Sequence, residues 1–397
     1  MWNFWQKPKI YNLNLNSFMK SKWKISFFFI IIIVVALSFW NYKNRVYDWD
    51  MPGYIGCLYT LKFPDSPDKV RTLTYTEIKK KAPEYEFRDI LGILKPADKA
   101  RQAFANNTQA FTEQLPYFQI KIGYNLAILL LYEVGFSSPD SVTLLSIFSY
   151  FISGIMIFFI LKIIFPENYI LAVILTVGLL LLPPMTYMSR VATPDMFIVQ
   201  ILLLFIIGLL KKWNSWVMFL VLFAITFTRP DYIPFTLTYL AAAGIYKYSQ
   251  SKKTDFILLL QGILLLVLYF TIIKICHYPG WKHLFYDTFI HRRSFISAPP
   301  PNFGLNEYLH IIYIKIIYFK RITVVSVGLL CLTFYCSKDL WTRICSIMIF
   351  ANIYIKFFFF PHSSGLRFFF PYILMLLFIA LYALSKKYNG FKLRKIA

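Results

Sequence analysis

Between Val46 and Gly56 the chain reads VYDWDMPGYIG, which sets two carboxylates, Asp48 and Asp50, among Tyr47, Trp49 and Tyr54. Residues two apart on an extended segment share a side, so both acids can face one cleft, and Pro52 with Gly53 predicts a turn just beyond them. A carboxylate withdrawn from water beside lipid becomes a stronger base, suited to taking a proton from a hydroxyl nucleophile. The plainer role is two hydrated acids at the end of a membrane span, and the spacing leaves open which acid would act. Three later stretches carry charges of matching use. SRVATPDMF (189–197) holds Arg190 and Asp195, which can pair with each other or face the same cleft; Asp195 otherwise serves the N-terminus of the helix it opens. TRPDYIP (228–234) puts Arg229 at the end of one apolar run and Asp231 at the start of the next, where a charge is costly unless paired or functional. A local Arg229–Asp231 turn pair is its plainer role. PHSSGLRFFFPYI (361–373) carries Arg367, whose planar fork suits a phosphate and whose plainer role is snorkelling to the head groups. Arg292 and Arg293 add positive charge in a loop long enough to fold over a site.

Other chemistries find little here. The five histidines are scattered with no zinc-type pair, and the five cysteines show neither metal nor redox spacing. Cys57 and Cys276 both fall on the expected outer side, which leaves a disulfide between them open. An Asp-x-Asp can hold magnesium or manganese through a carboxylate, but no cofactor is required by the motifs. The absence of a Gly-rich phosphate loop and of a serine-hydrolase elbow argues against a nucleotide-using or serine-nucleophile site.

The elements that must position these residues are membrane spans. The chain is 58% hydrophobic and 15% charged, whereas a soluble domain carries roughly 25% charged residues. The net charge of +23 comes from Lys and Arg at the ends of apolar runs, the pattern of membrane topology and anionic-lipid contact, and no basic stripe suits nucleic acid. Ten spans are expected: Trp23–Trp40, Ser141–Phe165, Tyr169–Thr186, Asp195–Leu210, Ser215–Thr228, Tyr232–Tyr246, Phe256–Ile275, Ile322–Cys336, Ile344–Phe360 and Phe368–Leu384. Tyr117–Phe136, interrupted by Lys121, Tyr124, Asn125 and Glu133, is read as a helix dipping into the outer leaflet.

This arrangement makes the chain an all-α polytopic membrane protein with about ten transmembrane helices plus juxtamembrane helices on the outer face. Residues 1–22 form a cytoplasmic segment before an uncleaved anchor, since no small-residue cleavage site follows the first apolar run. Residues 23–385 form the membrane domain, with outer loops at 41–116 and 276–321, and 386–397 form a basic cytoplasmic tail. Lys211, Lys212 and the KYSQSKK loop then fall inside, as the positive-inside rule requires, and a span at 117–136 would reverse them. Asp48, Asp50, Asp195, Asp231, Arg229, Arg367 and all five histidines fall outside, so chemistry belongs to the outer face. Within 41–116, Tyr75–Leu94 has helical spacing that Pro83 breaks, and short helices lying on the membrane surface are expected.

Taken together these pieces resemble the GT-C superfamily of polytopic glycosyltransferases, and among them the bacterial protein O-mannosyltransferase and lipid A aminoarabinose transferase type. Asp50 and Tyr54 keep the spacing of the family's first-loop acidic motif, with Met51 in place of its Glu. SRVATPDMF resembles the second outer-loop motif, and RFFFP at Arg367 an Arg-Tyr-aliphatic-Pro element near the end of many members. The resemblance implies a polyprenyl-phosphate sugar donor and an acceptor hydroxyl deprotonated by Asp50 or Asp48, with direct displacement and inversion. Arg229, Arg367, Arg292 or Arg293 would stabilise the leaving phosphate. Trp49 and Tyr54 would pack on sugar faces, and Asp195 would bind the acceptor or position an arginine. It also implies a bacterial inner-membrane location and a glycan, lipid or protein acceptor. Two rival functions are an O-antigen-type polysaccharide polymerase, which needs no acidic motif after the first span, and a lipid-linked glycan transporter. The latter predicts ionisable residues within spans and symmetry between halves.

Overall fold

The computed structural model describes residues 10–298, 303–361 and 366–391, with side chains from Ser21 onward. The proline run at 299–301, the 362–365 piece before Leu366 and most of the basic tail lie outside the described residues. In chain order, α1 (Ile10–Lys43) leads into six short helices, α2 (Met51–Lys62), α3 (Pro67–Lys81), α4 (Glu84–Ile90), α5 (Lys99–Asn106), α6 (Thr108–Gln114) and α7 (Pro116–Gln119). Then follow α8 (Ile122–Glu133), α9 (Ser138–Ile164), α10 (Tyr169–Leu180), α11 (Pro183–Arg190), α12 (Asp195–Leu210), α13 (Ser215–Thr228) and α14 (Ile233–Ser251). The remainder is α15 (Phe256–Ile275), α16 (Trp281–Phe289), α17 (Leu305–Ile316), α18 (Lys320–Cys336), α19 (Leu340–Phe359) and α20 (Phe370–Lys387). Among the described residues there is no strand.

All ten expected spans are helical, and the chain is an all-helical, multi-pass membrane protein. Six helical stretches are long and apolar enough to cross a bilayer: Ser21–Lys43 of α1, α9, α15, Leu305–Cys336, α19 and α20. A seventh results if α10 and α11 count as one span, bent by 55° at the break. The expected straight run from Tyr169 to Thr186 is therefore broken, because Pro183 and Pro184 cannot continue a helix but open a new one well. The run expected from Ile322 begins earlier, at Leu305, through a 3-10 turn at Ile317–Phe319. Helices α8, α12 and α13 are apolar but have only 12, 16 and 14 residues.

Helix α9 is the hub, packed against α1, α8, α10, α11 and α12. Small residues on it, among them Ser146, Ser149, Ser153 and Gly154, are buried, which lets neighbouring backbones come close. A Cβ at Gly154 would stand 2.8 Å from Val34 on α1. Helices α2, α3, α6 and α8 form a second core around Met51, Ile55, Ile78, Phe111 and Ile128. Pro83 divides α3 from α4 as its sequence position predicts. The turn expected at Pro52 and Gly53 is instead the first turn of α2, a place that tolerates proline. Gly53 lets α7 press on α2, since a Cβ there would lie 2.6 Å from the Phe118 ring. Cys57 and Cys276, whose pairing was left open, are both free buried thiols.

Candidate active site

The acidic loop is fixed to the bundle by its backbone. The Val46 amide donates to the Arg190 carbonyl at 2.9 Å, and the Tyr47 amide donates to the Glu86 carboxylate at 3.0 Å. The chain then turns at Trp49 and Asp50 instead of staying extended, and of the two acids only Asp50 lines the cavity described below. Asp50 is the N-cap of α2, yet its side chain makes no capping bond. Its carboxylate, 8% exposed, accepts from Arg367 Nη2 at 3.2 Å.

Arg367 begins a ladder of alternating charge. Its Nε lies 3.5 Å from Asp195, which is paired on its other side with Arg229. Arg229 also grips Asp231 through two bonds of 3.1 and 3.0 Å, and Asp231 accepts in turn from Lys356 of α19. Asp195 is positioned by the hub helix: Ser146 Oγ donates to the carbonyls of Val191 and Thr193, at 3.0 and 3.4 Å, holding the turn before α12. Burial works against the charge on Asp231, but Arg229 and Lys356 outweigh it and hold the carboxyl well below the usual range.

This ladder borders a cavity of about 690 Å³. Apolar residues of α14, α15 and α19, among them Leu237, Leu266, Ile273 and Ile355, line it together with Asp50, Asp195, Tyr54, Trp49 and residues of α16 and the segment after it. Six cations (Lys121, Arg229, Arg292, Arg293, Lys356, Arg367) face four carboxylates (Asp50, Asp195, Asp231, Asp287) in the lining, an excess suited to an anionic ligand.

Most expected site residues meet here, though several in unexpected company. Arg293 is held by Asp287, with Nε and Nη2 at 2.7 and 2.9 Å, and Tyr117 donates to the same carboxylate at 2.8 Å. Trp49 has Arg292 4.2 Å and Arg101 5.3 Å from its ring centre, so guanidinium groups lie against the indole proposed for sugar packing. Tyr54 is 2% exposed and set edge-on to Phe118 and Tyr124, inside the second core. Arg190 does not pair with Asp195 and does not line the cavity: its Nε donates to Asn41 at 3.0 Å and its guanidinium covers Trp40 at 4.0 Å. Asp48 also lies outside the lining, with one carboxyl oxygen buried and without a hydrogen-bond partner. Burial, then the charge of Asp50, push its pKa up to about 8.

Two cations escaped the sequence argument. Lys356 sits inside an apolar span, where a lone lysine is itself the available signal. Lys121 noticeably interrupts an apolar run, yet its setting emerges only in the fold. Its ammonium donates to the Tyr117 carbonyl at 3.2 Å and lies 5.2 and 5.0 Å from the Tyr54 and Phe118 ring centres, with no ion pair among the described residues. Burial, then the neighbouring charge of Arg229, lower its pKa to about 8.

Arg367 supplies positive charge between Asp50 and Asp195, and among the described residues no three His, Cys, Asp or Glu side chains gather as a ligand set. Set beside protein-family models, curated proteins and solved structures, the chain matches none of them.

Proposed function

We propose that this chain is a GT-C-like membrane glycosyltransferase that moves a sugar from a polyprenyl-phosphate donor to an acceptor hydroxyl of a cell-envelope glycan, lipid or protein. Ten crossings are part of this reading, with α12 and α13 as short spans and α14 as a less apolar one, both termini in the cytoplasm of a bacterium and the cavity on the outer face. The observation that carries it is Asp50: a buried carboxylate not used as a cap, lining a cavity that joins apolar residues to an excess of cations. The prenyl chain lies in the groove formed by α14, α15 and α19, and its phosphate meets Lys121, the lining cation with no carboxylate partner. The phosphate also competes for Arg367 and so frees Asp50. Asp50 takes the proton of the acceptor hydroxyl, whose oxygen attacks the anomeric carbon as the bond to the phosphate oxygen breaks. The configuration inverts, and the leaving phosphate carries the new negative charge onto Arg367 and Lys121.

The test is transfer of labelled sugar from a panel of polyprenyl-phosphate donors by the purified full-length chain in liposomes. Asp50→Asn is expected to lower turnover by roughly 10²–10⁴-fold, the usual worth of a general base. Undiminished transfer by that variant would overturn the assignment. One observation favours the transporter alternative: Lys356 is an ionisable residue inside a span, paired with Asp231. Movement of lipid-linked glycan across proteoliposomes without sugar transfer selects that function instead.

A further inference from the structure

The cations of the cavity divide into two sets. Four of them answer the four lining carboxylates: Arg367 with Asp50 and Asp195, Arg229 with Asp195 and Asp231, Lys356 with Asp231, and Arg293 with Asp287. Two are left over, Lys121 and Arg292. Among the described residues the only carboxylate partner of Arg292 is Asp98, which lies outside the lining and is shared with Arg101. The two leftovers stand in different surroundings. Lys121 is held between Tyr54 and Phe118, whereas Arg292 lies over Trp49.

Arg292 is also built as a binding group. Nη1 is anchored to Asp98 at 3.2 Å, and the indole 4.2 Å away backs its plane. Its Nε and Nη2 meet no protein partner among the described residues, although the side chain lines the cavity. A guanidinium pinned at one corner with its remaining edge free is pre-organised for two parallel bonds to a carboxylate, at little entropic cost. Arg292 and Asp50 line the same cavity, so an anion held by the guanidinium shares that cavity with the reacting hydroxyl.

We infer that Arg292 on its Trp49 backing is a second anion subsite, separate from the lipid phosphate at Lys121, that takes the carboxylate of an acidic sugar such as a hexuronic acid. This rests on the transferase proposal for the place of the sugar, but not for the binding itself. The carboxylate can belong to the acceptor glycan or to the sugar being transferred, and the two arms of the experiment separate these sources.

Binding is measured by the full-length chain in nanodiscs. One arm compares a glucuronate-terminated oligosaccharide with its glucose-terminated analogue, and the other compares polyprenyl-phosphate glucuronate with polyprenyl-phosphate glucose. The native chain should bind the acidic member of at least one pair about tenfold more tightly, the scale of one charge-assisted bidentate contact. Arg292→Gln should remove that preference while leaving binding of plain polyprenyl phosphate unchanged, which also reports that the variant is folded. Arg292→Lys, which keeps the charge but loses the fork, should restore only part of it. Lys121→Gln should weaken plain polyprenyl phosphate and spare the acidic preference. Equal binding of both members in both arms, weak or strong, or a preference that survives Arg292→Gln, overturns the subsite. Either result is read without any sugar transfer, so its failure is distinguishable from failure of the proposed activity.

Discussion

Asp195 and Arg229 are the most deeply buried pair in the ladder, 3% and 6% exposed, and their coupling can be measured directly. Replacing Asp195 with Asn keeps the shape but removes the charge that faces both Arg229 and Arg367. Breaking a buried pair from one side costs about 3–5 kcal/mol, because the surviving charge stays withdrawn from water. Arg229 retains Asp231 and Arg367 retains Asp50, so the lower end, about 3 kcal/mol, is expected here. Arg229→Met strands the other side, leaving Asp195 with Arg367 at 3.5 Å and Asp231 with Lys356, for a similar cost. In the double variant the charges that faced each other are both gone. It should therefore lose about 4 kcal/mol instead of about 6, a coupling of about 2 kcal/mol. Equilibrium unfolding of the full chain in dodecyl maltoside titrated with dodecyl sulfate gives all four corners of the cycle. Additive losses, with a coupling under about 0.5 kcal/mol, would refute the claim that this contact holds the site together.

Asp48 predicts a pH effect. Its ordinary carboxyl value is 3.8 and its folded value about 8, so in that window the folded state holds a proton that the unfolded state has lost. Stability from this group is therefore complete below pH 4 and declines as pH rises towards 8. Asp48→Asn should flatten this part of a stability-against-pH curve, and an unchanged curve counts against a protonated Asp48. Gly53→Ala puts a methyl group 2.6 Å from the Phe118 ring and should cost about 1–3 kcal/mol by overpacking. Since Phe118 also flanks Lys121, the same change should weaken polyprenyl-phosphate binding, which a binding titration on the folded variant checks.

The residues themselves explain what the sequence could reveal. Apolar runs such as Phe256–Ile275 announce themselves because a bilayer admits little else than a helix of that composition. The positions of Asp50, Asp195, Arg229 and Arg367 at the ends of such runs also marked them as neighbours of one face. Pairing was beyond reach: Arg190 and Asp195 are five residues apart, yet Asp195 takes its partners from positions 229 and 367. Local spacing likewise suggested that Asp48 and Asp50 act together, whereas helix α2 starts at once and turns only Asp50 to the cavity. The setting of Tyr54 was equally hidden: it lines the cavity from within a second core built by helices α2 to α9, a packing that no local spacing announces.

The Lys356–Asp231 contact also bears on how the chain is assembled in its membrane. Helix α19 carries its lysine near one end, with Arg343 near the other, and the carboxylate that neutralises Lys356 belongs to the turn between α13 and α14, more than a hundred residues earlier. Those earlier helices are synthesised first, so their acid waits with Arg229 until α19 arrives. The late span thus enters the bilayer towards a partner already in place, and a chain halted before Leu340 would retain the arginine clasp while missing the cation that completes it.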